Sequence, residues 1–151
     1  MALIIDPSTD TMFYDSVRRL LGGVDEDILP NEDISDPAIL DMAELRVIDL
    51  VPDYTNLSPT DFAKVRLATI YIVASLLCPS MANRVDIEVK TIDVHWKRKS
   101  INYAELAQML LDRALDLLDD LVELGGDPRI FAIAPSKRAV RAREKGKGPY
   151  Y

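Results

Sequence analysis

The segment from Ser58 to Pro79 constrains the fold most strongly, because its second half, "IYIVASLLC", is apolar on nearly every side of a helix. Ser58 followed by Pro59 is a typical helix start, since serine caps free N–H groups and proline suits the first helical position. Proline disrupts a helix interior, so we expect Pro79 to end this helix. A helix that is apolar all round must be buried, and this one is therefore predicted to be the central helix.

Two helices are predicted before the central one. In the first, over residues 11–21, apolar residues recur at helical spacing up to a "GG" stop. The second begins where Asp36 can cap it and Pro37 takes the first position, and it runs to a stop at Val51 and the proline that follows. The acidic loop "VDEDILPNED" lies between them. It lacks the ligand spacing and central glycine of a calcium loop, so we expect its carboxylates to face solvent.

The longest predicted helix follows Asn102, which can cap it, and closes at Gly125 and the next glycine. Glu105, three residues after the cap, completes a pattern like a capping box. Apolar residues cover two faces of this helix, which favours a position inside a bundle. We therefore predict a mainly α fold, a small four-helix bundle.

One segment, "VDIEVKTIDVHWKRKS" at residues 85–100, departs from the helical pattern. Apolar and charged residues alternate along it, with a phase slip at Lys90 and Thr91. Alternation predicts a β-strand, and the slip predicts a bulge or bend. We therefore predict a bent β arm or hairpin over residues 85–97, between the third and fourth helices.

A long strand needs a partner, since an isolated hairpin is marginal in water and a free edge invites pairing. The other β candidates, residues 2–5 and 130–134, are short. The arm can therefore lie across its own bundle beside a terminal strand, or complete a sheet with a neighbouring subunit. We favour the neighbour, and predict a subunit interface at Ile87, Val89, Ile92, Val94 and Trp96.

Composition argues against membrane and exported proteins. No run approaches the ~18 consecutive apolar residues that a membrane helix needs, and the start "MALIIDP" lacks the features of a signal peptide. We therefore expect a soluble protein. Cys78 is the only cysteine, so no disulfide can form within the chain, and its apolar neighbours predict a buried thiol.

Charge divides the chain into two parts. Residues 136–151 carry 6 basic groups and 1 acidic group, a net of +5, whereas the remaining 135 residues carry 12 basic and 24 acidic groups, a net of -12. The basic end is poor in apolar residues and cannot fold on its own. We therefore predict a helical domain over residues 1–126 and an extended basic C-terminal arm over residues 127–151.

Signals for catalysis are weak. His95 is the only histidine, and no nucleophile motif or glycine-rich phosphate loop occurs. Acidic residues at helical spacing on the fourth helix could serve a metal-dependent hydrolase, but no other helix supplies a second such cluster. We interpret them as a solvated face and predict no catalytic, metal or cofactor site. These acidic residues are Asp112, Asp116, Asp119, Asp120 and Glu123.

The order of these features resembles the head-tail connector (adaptor) proteins of tailed double-stranded DNA bacteriophages. The likeness covers roughly residues 10–124 and is carried by three stretches: "VRRLLGGVDEDILPNEDISDPAIL", "RLATIYIVASLLCPSM" and "IEVKTIDVHWKRKSINYAELAQMLLDRALDLLDDL". It is a likeness of overall pattern, without a short functional motif. The C-terminal arm after Asp127 is the part least like the family.

The resemblance implies a structural virion protein and not an enzyme. Such proteins form a homo-oligomeric ring of about twelve copies under the portal, extend the DNA channel and bind a tail or neck protein. They assemble in the host cytoplasm and lie at the neck of the virion. We expect the basic arm to dock on the portal protein in preference to DNA, because terminal tyrosines are good interface anchors. Its predicted binding residues are Lys137, Arg138, Arg141, Arg143, Lys145, Tyr150 and Tyr151.

Two other functions remain open at this point. A small DNA-binding or regulatory protein would use the basic end, and would show salt-sensitive DNA binding that disappears when residues 136–151 are deleted. A metal-dependent nucleotide hydrolase would show magnesium-supported activity that is lost when Asp116 and Asp119 are both replaced by alanine.

Overall fold

A computed structural model describes the backbone of residues 4–91 and 101–125, and the side chains of residues 4–84 and 101–122. The described part is mainly helical and contains no β-strand, so the prediction of a mainly α fold is confirmed. Its helices are α1 (Phe13–Leu20), α2 (Asn31–Ile34), α3 (Leu40–Leu50), a short 3-10 helix (Tyr54–Asn56), α4 (Pro59–Thr91) and α5 (Tyr103–Gly125).

Helix α4 is the centre of the fold, as predicted. It packs most extensively against α5, and also against α1 and α3. Most side chains from Ala68 to Cys78 are buried, including those of Ile70, Ile72 and Val73. Lys64, near the start of α4, lies with its Nζ 3.8 Å from a carboxylate oxygen of Asp120, near the end of α5. Helix α5 therefore runs back along α4.

Two predicted helix starts are confirmed by their capping hydrogen bonds. The Ser58 hydroxyl accepts the Asp61 backbone N–H at 3.3 Å and donates to the Asp61 carboxylate at 3.0 Å. The Asn102 side-chain oxygen accepts the Glu105 backbone N–H at 3.3 Å. Each bond satisfies an N–H group that has no partner inside the helix.

The first helix ends at the predicted glycines. Gly22 and Gly23 both adopt positive φ angles, 99° and 73°, which other residues rarely tolerate. The Gly23 N–H donates to the Arg18 carbonyl at 2.9 Å, so the turn also satisfies the end of the helix. A Cβ at Gly22 would lie 2.8 Å from the Cδ1 of Ile101, so a side chain here would also require the end of Ile101 to move.

The prediction that Pro79 ends the central helix is wrong, because α4 continues through it to Thr91. An interior proline costs about 3 kcal/mol, since it lacks an N–H and its ring crowds the previous turn. Leu77, Cys78 and Met81, on either side of the proline, are buried in the core. Burying a large apolar side chain is worth about 1.5–3 kcal/mol, so the packing of these neighbours offsets that cost.

The prediction of a β arm is wrong for residues 85–91, which are helical and belong to α4. Extending an existing helix gains one hydrogen bond for each residue that is fixed, whereas a strand needs a partner. The candidate partner at residues 2–5 is not a strand where residues 4 and 5 are described. The rest of the predicted arm, residues 92–97, lies outside the described residues, as does the candidate strand at 130–134.

The second predicted helix begins later than expected, at Leu40. The Asp36 carboxylate accepts the Ala38 N–H at 2.7 Å, and the Asp36 carbonyl accepts the Leu40 N–H at 2.8 Å. Pro37 therefore lies in a turn just before the helix and is not its first residue. The single-turn helix α2 and the 3-10 helix were not predicted. Segments of three or four residues are too short to show periodicity.

By length and composition alone, the stretch Pro59–Arg84 of α4 could cross a membrane. It is the one such stretch in the part of the chain that the structure describes, and 56% of its most apolar window is buried inside the protein. Central helices of globular proteins have the same composition, because they are covered by protein on all sides.

Candidate interaction surfaces

The predicted interface residues do not all fall within the described chain. Ile87 and Val89 lie in the last turns of α4, where the backbone is helical. Ile92, Val94 and Trp96 lie outside the described residues, as do His95 and the whole basic arm: Lys137, Arg138, Arg141, Arg143, Lys145, Tyr150 and Tyr151. The prediction that a strand forms the interface is therefore wrong at Ile87 and Val89, which are helical. It stays a prediction at Ile92, Val94 and Trp96.

The acidic loop between α1 and α2 is held by two arginines that the sequence did not reveal. Arg18, on α1, is 8% exposed, and its Nε donates to the Leu29 carbonyl at 3.1 Å. Its guanidinium also donates to the side-chain oxygen of Asn31 and lies 3.6 Å from the Asp15 carboxylate. A planar guanidinium with several donors can satisfy three acceptors at once.

Arg84, on the part of α4 beyond Pro79, holds the same loop from the other side. One of its guanidinium nitrogens donates to the Ile28 carbonyl at 3.1 Å and lies 2.7 Å from the Asp33 carboxylate. Arg18 and Arg84 thus bind two consecutive carbonyls, those of Leu29 and Ile28. The continuation of α4 through Pro79 is what brings Arg84 to the loop.

Between these anchors the loop presents carboxylates to solvent. Asp25, Glu26, Asp27 and Glu32 are exposed, as predicted, whereas Asp33 is partly buried against Arg84. The arginines fix the backbone of the loop, and the loop therefore presents a group of carboxylates on one part of the surface.

The acidic side of α5 is also exposed, as predicted, at Asp112, Asp116, Asp119 and Asp120. The Asp112 carboxylate accepts the Gln108 amide N–H at 2.9 Å, and Asp120 faces Lys64. Within residues 4–84 and 101–122, no three His, Cys, Asp or Glu side chains are grouped as a metal ion requires.

Glu44 on α3 is a buried carboxylate with a structural role that the sequence did not predict. Its side chain is 1% exposed, and its Oε1 accepts the backbone N–H groups of Ile4, at 3.0 Å, and Ile5, at 2.8 Å. The carboxylate thereby fixes the N-terminal segment to α3. The spacing of the sequence could have indicated this burial, because Glu44 falls on the same helical face as the buried residues Leu40 and Val47.

Cys78 is buried, as predicted. Burial raises the pKa of its thiol from the ordinary value of 9.0 to about 11, because the thiolate would be desolvated. A thiol held in its protonated form is a poor nucleophile.

The Cys78 thiol should make stability depend on pH in alkaline solution. Between the two pKa values the unfolded chain has lost the thiol proton and the folded chain keeps it, so the free energy of unfolding falls as pH rises. From pH 9 to 11 we expect Cys78 to account for a loss of about 2 kcal/mol. Urea denaturation at both pH values should show a smaller loss in Cys78→Ala. Equal losses in the two proteins would contradict this assignment.

The described part of the chain also exposes large apolar side chains. Seven such residues remain at least 40% exposed: Met12, Met42, Leu45, Leu67, Ile101, Met109 and Leu115. Two lie on α3 and two on α5, the helices that pack against α4 from outside.

Comparisons of the chain with protein-family models, with curated proteins and with solved structures gave no match.

Proposed function

We propose that this chain is a head-tail connector of a tailed double-stranded DNA phage. In this proposal about twelve copies form a ring beneath the portal, extend the DNA channel and attach a tail or neck protein. The support is the feature order over residues 10–124, which resembles connector proteins, together with the helical body that this sequence forms. The protein acts as a structural component of the virion neck, assembles in the host cytoplasm, and needs no catalytic group.

The observation that carries the proposal is the set of exposed apolar side chains on the outer helices. Among the described residues 25 apolar side chains are buried, yet Leu45 on α3 is 53% exposed and Met109 on α5 is 43% exposed. Single exposed apolar groups are common, but Met42 and Leu45 are neighbours on one face of α3, and adjoining apolar groups on an outward face mark surfaces that bind other proteins. A ring joins two different surfaces of neighbouring copies, so closure would cover both helices.

Charge supports the passage of DNA through such a ring. The chain outside the basic end carries a net charge of -12. Carboxylates repel phosphate, so an acidic wall lets DNA slide without gripping it. The acidic loop held by Arg18 and Arg84 supplies several such carboxylates. We propose that α1, α3, α4 and α5 form the bundle that carries this surface.

The basic arm is proposed to bind the portal protein. Deleting residues 127–151 should leave the helical body folded and reduce binding to purified portal rings at least tenfold, because the arm supplies the +5 segment and both terminal tyrosines. Circular dichroism checks folding, and co-sedimentation with portal rings checks binding.

A matched control replaces residues 136–151 by a glycine-serine sequence of equal length, which keeps the chain length and removes the charge and the tyrosines. It should bind portal as weakly as the truncated chain. Unfolding of the truncated chain would show that the arm belongs to the core. Unchanged portal binding, with salt-sensitive DNA binding lost instead, would favour the DNA-binding function.

A further inference from the structure

The outward faces of α3 and α5 carry the same arrangement of side chains. On each helix a methionine is followed four residues later by an arginine and three residues after that by an aspartate. These six residues all belong to exposed positions, and they share one face because spacings of three and four are neighbours on a helix. We call them the α3 stripe (Met42, Arg46, Asp49) and the α5 stripe (Met109, Arg113, Asp116).

Among the residues whose side chains the structure describes, the charged groups of the two stripes have no partners. None of the four forms a hydrogen bond or an ion pair in the part of the chain that the structure describes. Lys64, Arg66 and Arg84, in contrast, all lie against carboxylates. The two stripes also do not cover each other, since α3 and α5 both pack on α4 and barely contact one another.

The stripes are complementary in one orientation. When two helices run antiparallel, the pairs Arg46 with Asp116 and Asp49 with Arg113 come level at the same register, because each helix has its arginine three residues before its aspartate. Both separations along the axis are about 4.5 Å. In a parallel arrangement only one of these two pairs can be level. In this register Leu45 of α3 comes level with Leu117 of α5, which would add an apolar contact beside the ion pairs.

We propose that the α3 stripe of one copy binds the α5 stripe of the next copy, antiparallel, with two reciprocal ion pairs. The inference rests on the proposed connector function, because a contact between two different surfaces, repeated head to tail, is what closes a ring. Antiparallel pairing of a stripe with itself would align the same charges, but it joins copies about twofold axes and not by the single head-to-tail contact that a cyclic ring repeats. The contact between α3 and α5 covers both stripes with one kind of interface.

Cysteine cross-linking tests the contact directly. In full-length protein carrying both Arg46→Cys and Asp116→Cys, a short bismaleimide should join successive copies and give a ladder of more than two chains on a denaturing gel. Either single variant should give no ladder, and buried Cys78 should not react. A ladder that stops at two chains, linkage confined to single chains, or no linkage would each overturn the inference.

Charge reversal tests the ion pairs. Arg46→Glu should weaken self-association about tenfold and Asp116→Arg likewise, because each change replaces an attraction by a repulsion, whereas the double variant should recover most of the loss. Arg19→Glu, an exposed arginine on α1, makes the same charge change outside the stripes and should have no effect. Analytical ultracentrifugation measures all four proteins.

The outcomes separate this inference from the connector proposal. A ring that forms equally well in Arg46→Glu would overturn the stripe contact and leave the connector proposal standing. Charge-dependent association in a protein that never joins a portal ring would support the stripe contact and contradict the connector function.

Discussion

Glu44→Ala should lower the free energy of unfolding by about 3 kcal/mol, because two buried N–H groups lose a charged acceptor. The Ile4 and Ile5 amides donate to one Glu44 oxygen, and both residues are buried. Without it the N-terminal segment either keeps two unsatisfied donors or detaches and loses its apolar contacts. Urea denaturation followed by circular dichroism measures the effect.

Glu44→Gln is the matched control, because glutamine keeps the size of the side chain and one oxygen acceptor. It should lower the free energy of unfolding by roughly half as much as Glu44→Ala does, since hydrogen bonds to a neutral acceptor are weaker than those to a charged one. Hydrogen exchange should show faster exchange of the Ile4 and Ile5 amides in the alanine variant. If Glu44→Ala were as stable as the natural protein, the carboxylate would not hold the N-terminal segment.

Arg18→Ala should lower the free energy of unfolding by about 2–4 kcal/mol and release the acidic loop from α1. The substitution removes the donor to the Leu29 carbonyl and the bond to Asn31, and Leu29 is fully buried, so its carbonyl is left without this partner. The packing of the long side chain is also lost. Thermal unfolding measures stability, and hydrogen exchange across residues 25–33 measures the release of the loop.

Arg19→Ala is the control for Arg18→Ala, because it removes the same side chain from the next position, where it is exposed. Its stability should change by less than about 0.5 kcal/mol, as is usual for surface substitutions. Arg84→Ala should also speed exchange in the loop, since it removes the donor to the Ile28 carbonyl. Unchanged exchange in Arg18→Ala would show that the loop is rigid for another reason.

The starts of α4 and α5 were predictable because capping chemistry is local. Ser58 and Asn102 each use their own side chain to bind an N–H three residues away, so the sequence contains the whole interaction. The buried face of α4 was predictable for a similar reason, because a helix that is apolar on all sides has few places to lie.

The end of α4 was not predictable, because it depends on long-range packing. Whether a helix stops at a proline is decided by what its next turn can bury, and Met81 and Arg84 find partners in distant parts of the chain. The alternating pattern after Arg84 is consistent with a strand only if a partner strand exists. Residues 85–91 therefore form the last part of helix α4 and not a strand.

The candidate surfaces were only partly predictable. Exposure of the acidic loop follows from its composition, but the arginines that fix it come from positions 11 and 56 residues away in sequence from the carbonyls they bind. The α3 and α5 stripes need the burial of each helix before their outward faces can be identified. Sequence spacing alone shows which residues share a face and not which face is covered.

Electron microscopy of the purified protein, alone and mixed with portal rings of the same virus, tests the proposed connector function most directly. We expect rings of about twelve copies that extend the portal channel along its axis. A protein that stays strictly monomeric at high concentration and never joins a portal ring would contradict it.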